Sequence, residues 1–79
     1  MMISEHARQS MLEDGIADEE VKLCLECGEQ KTQGFNKGEP RYIRILTVKD
    51  RKIVVVYTFK NKEPRVITVY AMRSKKWQN

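Results

Sequence analysis

The stretch Arg41–Met72, RYIRILTVKDRKIVVVYTFKNKEPRVITVYAM, decides the fold. It holds three runs rich in β-branched and aromatic residues, separated by two short charged breaks. Such residues suit a pleated, half-buried surface and the breaks are turn-like, so the stretch predicts an antiparallel β-meander. Two-residue hairpins at Asp50-Arg51 and Asn61-Lys62 are the commonest kind that fit. Side chains alternate along a strand, so this register sorts the residues into two faces. One holds Ile43, Ile45, Thr47, Val54, Val56, Thr58, Ile67, Val69 and Ala71; it is aliphatic and is expected to lie under helices. The other holds Tyr42, Arg44, Leu46, Val48, Ile53, Val55, Tyr57, Phe59, Val66, Thr68, Tyr70 and Met72. That second face mixes apolar groups with an arginine and three tyrosines. It reads as an interaction surface or, more plainly, as a mixed core or a homodimer face.

Upstream of the meander, Ser4 is a natural N-cap, Glu5 suits a first helical turn and Gly15 suits a helix end. These signals predict a helix over residues 5–14 with Ala7, Met11 and Leu12 inward. Asp18 is expected to cap a second helix over 19–27, with Val21, Cys24 and Leu25 on one stripe and Gly28 ending it. The link Gly15-Ile16-Ala17 makes the pair an αα-hairpin, a suitable cover for the aliphatic sheet face. Met1–Ile3 could add a brief edge strand, Glu29–Gln33 reads as a weak strand, and Gly34–Pro40 reads as a loop. A short basic tail over 73–79 carries the single tryptophan, Trp77. The prediction is one α+β domain over 1–79, its N-terminal αα-hairpin packed on one face of a three- to four-stranded antiparallel meander. At 79 residues the chain is near the size where one core barely suffices.

Charge is unevenly distributed. Residues 1–30 carry two basic and eight acidic side chains, and residues 31–79 carry thirteen basic and three acidic. A basic half of this kind points to RNA or an acidic protein segment as partner, or to attraction between the two halves within the fold. The sequence shows no signal peptide and no transmembrane run, which sets a cytoplasmic, reducing compartment as the expectation and no membrane as a partner.

Cys24 and Cys27 have the C-x-x-C spacing of a metal half-site or a redox pair. Zinc needs four ligands and the chain offers one histidine and no further cysteine. A redox thiol favours a helix start, whereas these lie near a helix end. The expectation is therefore no metal and no cofactor, with Cys24 filling the core. His6, in the first turn of helix 1, could act as a general base or simply as a structural residue. Glycine-rich phosphate loops, Ser-His-Asp patterns and paired catalytic carboxylates are not seen in the sequence.

Metal-free RNA cleavage stays compatible with these residue types. It needs a base for the ribose 2′-OH, cations for the phosphate and an acid for the leaving oxygen. His6, Arg44, Tyr57 and Tyr70 are the catalytic candidates, and Arg41, Tyr42, Thr68, Arg73, Lys75 and Lys76 the candidate RNA- or phosphate-binding residues. His6 belongs to the helical side, so it could join the tyrosines only by reaching round a sheet edge.

Ser4-Glu5-His6-Ala7, Met11, Gly15-Ile16-Ala17, Glu20-Val21, Gly28-Glu29, Arg41-Tyr42, Ile53-Val54, Val56-Tyr57 and Val66–Tyr70 together resemble a widespread uncharacterised small-domain family. That family looks related to the RelE/ParE and BrnT-like toxins of toxin–antitoxin systems. The resemblance implies a helical pair on one sheet face and RNA on the other, with Arg44, Tyr57, Tyr70 and Arg73 matching the arginines and tyrosine of RelE-type enzymes. It further implies a toxin-like endoribonuclease, acting on mRNA at the ribosome and neutralised by an acidic antitoxin. Ser10 and Asp14 stand where the family commonly has arginines, which implies an inactive relative as one alternative. A non-catalytic nucleic-acid-binding or homodimerising module is the other, and a gyrase-directed inhibitor falls between.

Overall fold

The computed structural model describes residues 1–73 and, at positions 32, 33, 35 and 36, the backbone alone. The chain runs β1 (Met2–Ile3), α1 (Glu5–Asp14), α2 (Asp18–Cys27), β2 (Glu29–Asn36), β3 (Glu39–Val48), β4 (Arg51–Lys60) and β5 (Glu63–Arg73). Two helices pack on one face of a five-stranded sheet of order β1-β5-β4-β3-β2. All neighbours are antiparallel except β1, which lies parallel to β5 at one edge. The fold is the predicted α+β arrangement with a larger sheet. No described helix is long and apolar enough to cross a membrane.

Local chemistry explains the helix ends. Ser4 caps α1, its Oγ accepting from the Ala7 N–H at 3.1 Å. Gly15 closes the helix in the left-handed region, φ 64°, where a side chain is disfavoured. The cap of α2 is Ala17, not Asp18: the Glu20 carboxylate folds back to accept from the Ala17 N–H at 2.9 Å. Gly28 ends α2 for a different reason. Its backbone is ordinary, but a Cβ there would meet the Cys24 carbonyl oxygen at 2.4 Å.

The segment expected to be a weak strand and then a loop is instead a strand through Asn36, a two-residue turn and the start of β3. β2 runs to Asn36, and Lys37 (φ 54°) and Gly38 (φ 80°) turn the chain into β3 with the positive φ values of a type I′ hairpin. Pairing with β3 supplies the backbone bonds that a short polar segment lacks on its own. The β3–β4 turn is Lys49-Asp50, since Val48 faces Arg51. It lies one residue before the expected position, shifting the pairing by two and leaving both strands' faces unchanged. Asn61-Lys62 makes the last hairpin as predicted, with Lys60 opposite Glu63.

The face assignment is corrected in two respects. Tyr57 pairs with Val66 but Val56 pairs with Thr68, so Ile67 is an extra residue that bulges β5. Beyond the bulge the strand's faces are exchanged, placing Val69 with Val55, Ala71 with Ile53, and Tyr70 with Val54. The helices, moreover, cover the face expected to be free. The core joins Ala7, Met11, Ile16, Val21 and Cys24 to Ile53, Val55, Tyr57, Val66 and Val69, with Tyr42, Leu46, Val48 and Ala71 packed alongside. Leu12, expected inward, is 75% exposed, because the α1 contact is made by Ala7 and Met11.

The opposite face carries no helix. Ile43, Ile45, Val54, Val56, Ile67, Thr68 and Tyr70 lie on it, with Arg41, Lys52, Lys60 and Arg65 toward its ends. Val54, at the centre of that face, is only 2% exposed.

Candidate nucleic-acid interface

Arg44 and Tyr57 come together, but on the helix-covered side. Arg44 Nε donates to the Tyr57 hydroxyl at 3.1 Å, Nη1 to the Gly28 carbonyl at 2.7 Å, and Nη2 to Gln30 Oε1 at 3.4 Å. The guanidinium thus satisfies a carbonyl at the end of α2 and the phenol of a nearly buried tyrosine. Tyr42 and Phe59 pack around Tyr57, with all three ring centroids 5.5–5.7 Å apart. This cluster anchors the end of α2 to the sheet.

The remaining candidates are dispersed. His6 is exposed on α1 beside Glu5, Arg8, Gln9 and Leu12. Tyr70, 41% exposed, and Thr68 project from the helix-free face. Arg41 is on that face too, near Glu39 at 3.5 Å. Arg73 lies at the end of β5 on the helical side, 3.5 Å from Asp50 and well exposed. Lys75, Lys76 and Trp77 fall outside the described residues. The four residues expected to be catalytic are therefore spread over the outer surface of α1, the core-facing side of the sheet and the open face.

Residues not singled out from the sequence define the open face more sharply. Arg65 faces Thr58 across the β4–β5 ladder, and Lys60 and Lys52 mark the two ends of β4. Ser4, Glu39, Arg41, Thr58, Arg65 and Ile67 line a cavity of about 200 Å³. Thr58 is 1% exposed and its hydroxyl has no hydrogen-bond partner among the described residues. The signal for this group, a threonine flanked across strands by two arginines, becomes readable only when both hairpin registers are known.

On the helical side, Arg51 acts as a clasp. It donates to the Asp14 and Gly15 carbonyls at 3.1 and 3.3 Å and reaches both Glu20 carboxylate oxygens at 3.1 and 2.9 Å. The Ala17 N–H and the Arg51 guanidinium hold the Glu20 carboxyl below its usual range, despite some opposing burial.

The two thiols occupy unlike settings. Cys27 is exposed, whereas Cys24 is buried and its Sγ lies 3.4 and 3.6 Å from the Arg44 and Ile53 carbonyl oxygens. Burial pushes the Cys24 thiol from 9.0 up to about 11, against a smaller pull from Arg44. At pH 8 a thiol reagent is therefore expected to label one cysteine of the folded chain and both after denaturation. Mass mapping should place the native label on Cys27; equal labelling of Cys24 would contradict this packing. Because the folded thiol is the weaker acid, its contribution to stability is whole below about pH 9 and fades as pH rises toward 11.

No curated protein and no solved structure matches the chain. A family model described as a domain of unknown function, DUF4258, matches residues 3–71, from β1 through most of β5, and the chain belongs to that family.

Proposed function

We propose that this domain binds single-stranded RNA on its helix-free sheet face, as a binding module without catalysis. The observation that carries this reading is the polarity of the two layers. The helical layer holds Glu5, Glu13, Asp14, Asp18, Glu19, Glu20 and Glu26 against Arg8 and Lys22. The open face instead presents an apolar centre with Tyr70, between Lys52 at one end and Arg41, Lys60 and Arg65 at the other. Cations track a phosphate backbone, while aliphatic and aromatic groups accept the faces of unstacked bases. Acidic helices on the far side orient a polyanion toward the sheet.

The catalytic form of this reading is a RelE/BrnT-like endoribonuclease held by an acidic antitoxin. It would require a base, an acid and phosphate-holding cations on one surface. Arg44 and Tyr57 are engaged with each other and with Gly28, while His6 and Tyr70 lie on different layers. That separation favours binding over cleavage.

The test is fluorescence anisotropy of a labelled oligoribonucleotide with the full chain, across about 50–200 mM salt. Binding should weaken steeply with salt, and Lys52→Ala with Lys60→Ala should lower the log–log slope by about 1.4, at roughly 0.7 per lost phosphate contact. Lys22→Ala, on α2, should change nothing. Absence of binding at low salt, or equal loss from Lys22→Ala, would overturn the proposal. A denaturing gel of the same samples separates binding from cleavage: RNA cut by wild type but not by His6→Ala or Tyr70→Phe would replace the binding module with the enzyme.

A further inference from the structure

We infer that the cavity between Arg41, Thr58 and Arg65 takes the terminal phosphate of a bound RNA strand. The inference rests on the open-face binding reading and adds a specific end-recognition site to it. Thr58 supplies the main observation. A hydroxyl that is shielded from water and has no partner among the described residues is costly, yet this one lies where the sheet brings two arginines to either side of it.

The surroundings favour an anion. Arg65 is directly opposite Thr58, and Arg41 precedes Tyr42, which is opposite Tyr57 on the other neighbouring strand. Both guanidiniums can offer paired N–H donors to phosphate oxygens. Ser4 places the N-terminal end of α1 at the rim, although its own groups are committed. Its N–H donates to the Val66 carbonyl at 3.0 Å, its Oγ donates to the Ile67 carbonyl at 3.0 Å, and the same Oγ accepts from Ala7. Ser4 therefore fixes the rim and the local field, not a further ligand contact.

Glu39 is the opposing group. It also lines the cavity and lies 3.5 Å from Arg41. That ion pair is long and partly exposed, so an incoming dianion can compete with Glu39 for Arg41 beside Thr58. A terminal monoester fits this role better than an internal diester. It carries more charge, presents three free oxygens and can point inward, whereas an internal phosphate is tied to the strand on both sides.

The experiment compares three oligoribonucleotides of one sequence, bearing a 5′-phosphate, a 3′-phosphate or neither, against the full chain. One phosphorylated end should bind about tenfold tighter than the unphosphorylated strand, the scale of one charge-assisted pair in a shielded site. Thr58→Val preserves shape, removes the orphan hydroxyl and should hold the fold at least as well; Arg65→Gln removes one cation. Either should reduce the end preference while leaving binding of the unphosphorylated strand within about twofold for Thr58→Val. Inorganic phosphate should shift the amide NMR signals of Thr58 and Arg65 in wild type more than in Thr58→Val. Equal binding of all three strands, with no phosphate-dependent shift, would overturn the end site while leaving the RNA-binding reading intact. If none of the strands binds, the RNA reading fails; phosphate-induced shifts alone would then mark a small-anion site and overturn its assignment to RNA ends.

Discussion

Val69→Asp is expected to leave the domain largely unfolded at 25 °C, whereas Thr68→Asp, one residue earlier, is expected to cost about 1 kcal/mol or less. Val69 is fully buried opposite Val55, which is also fully buried, on the side that meets the helices. Replacing it forfeits apolar burial and places a carboxylate within the buried hydrophobic cluster, a cost of several kcal/mol. A domain of 79 residues has only about 4–12 kcal/mol of stability from which to meet that cost. Thr68 projects from the helix-free face, where an added charge stays near solvent. Urea titration followed by circular dichroism measures both variants. Equal destabilisation would mean that β5 lacks the bulge and that its side chains do not alternate as described.

Arg44→Ala is expected to lower stability by about 2–4 kcal/mol, with less effect on RNA binding once the folded fraction is matched. The substitution removes the donors to the Gly28 carbonyl and the Tyr57 hydroxyl, leaving two shielded polar groups without their partner. It also removes the methylene stem beside the aromatic cluster. Tyr57→Phe deletes only one end of this arrangement and should cost about 1 kcal/mol. Because the two side chains share a bond, the double variant should lose less than the sum of the single losses. The opposite pattern, a loss below about 0.5 kcal/mol with RNA binding abolished, would make Arg44 a ligand-contacting group rather than an anchor.

The bulge and the anchor show where local reading ends. The expected Asn61-Lys62 hairpin fixes the pairing from Lys60 opposite Glu63 as far as Tyr57 opposite Val66, and the bulge overturns it beyond. Nothing in Arg65-Val66-Ile67-Thr68 announces an extra residue, since any β-branched run accepts either parity. The bulge is tied instead to the other end of the chain: the Ser4 N–H bonds to the Val66 carbonyl and the Ser4 Oγ to the Ile67 carbonyl. Thr58 and Arg65 pair as the Asn61-Lys62 hairpin implies, but the burial of the Thr58 side chain between neighbouring strands shows only in the folded sheet. Arg44 and Tyr57 stood out for their chemistry, but only the path of α2 shows the carbonyl that occupies the guanidinium.

By itself the sequence determined the elements whose signals are local. The spacing of Ala7 and Met11, the Ser4 cap, the left-handed Gly15 and the alternating β-branched runs specify two helices and a meander without reference to distant residues. It also determined the charge asymmetry between the halves. Tertiary structure decided which sheet face became the core. Both faces are apolar enough to be covered, so hydrophobicity alone does not choose between them. The bulge brings Val69 and Ala71 beside Ile53 and Val55, and the end of α2 supplies the acceptor that lets Arg44 be half-buried. Those two long-range conditions make that face the one the helices cover, and leave Arg41, Thr58, Arg65 and Tyr70 on the other.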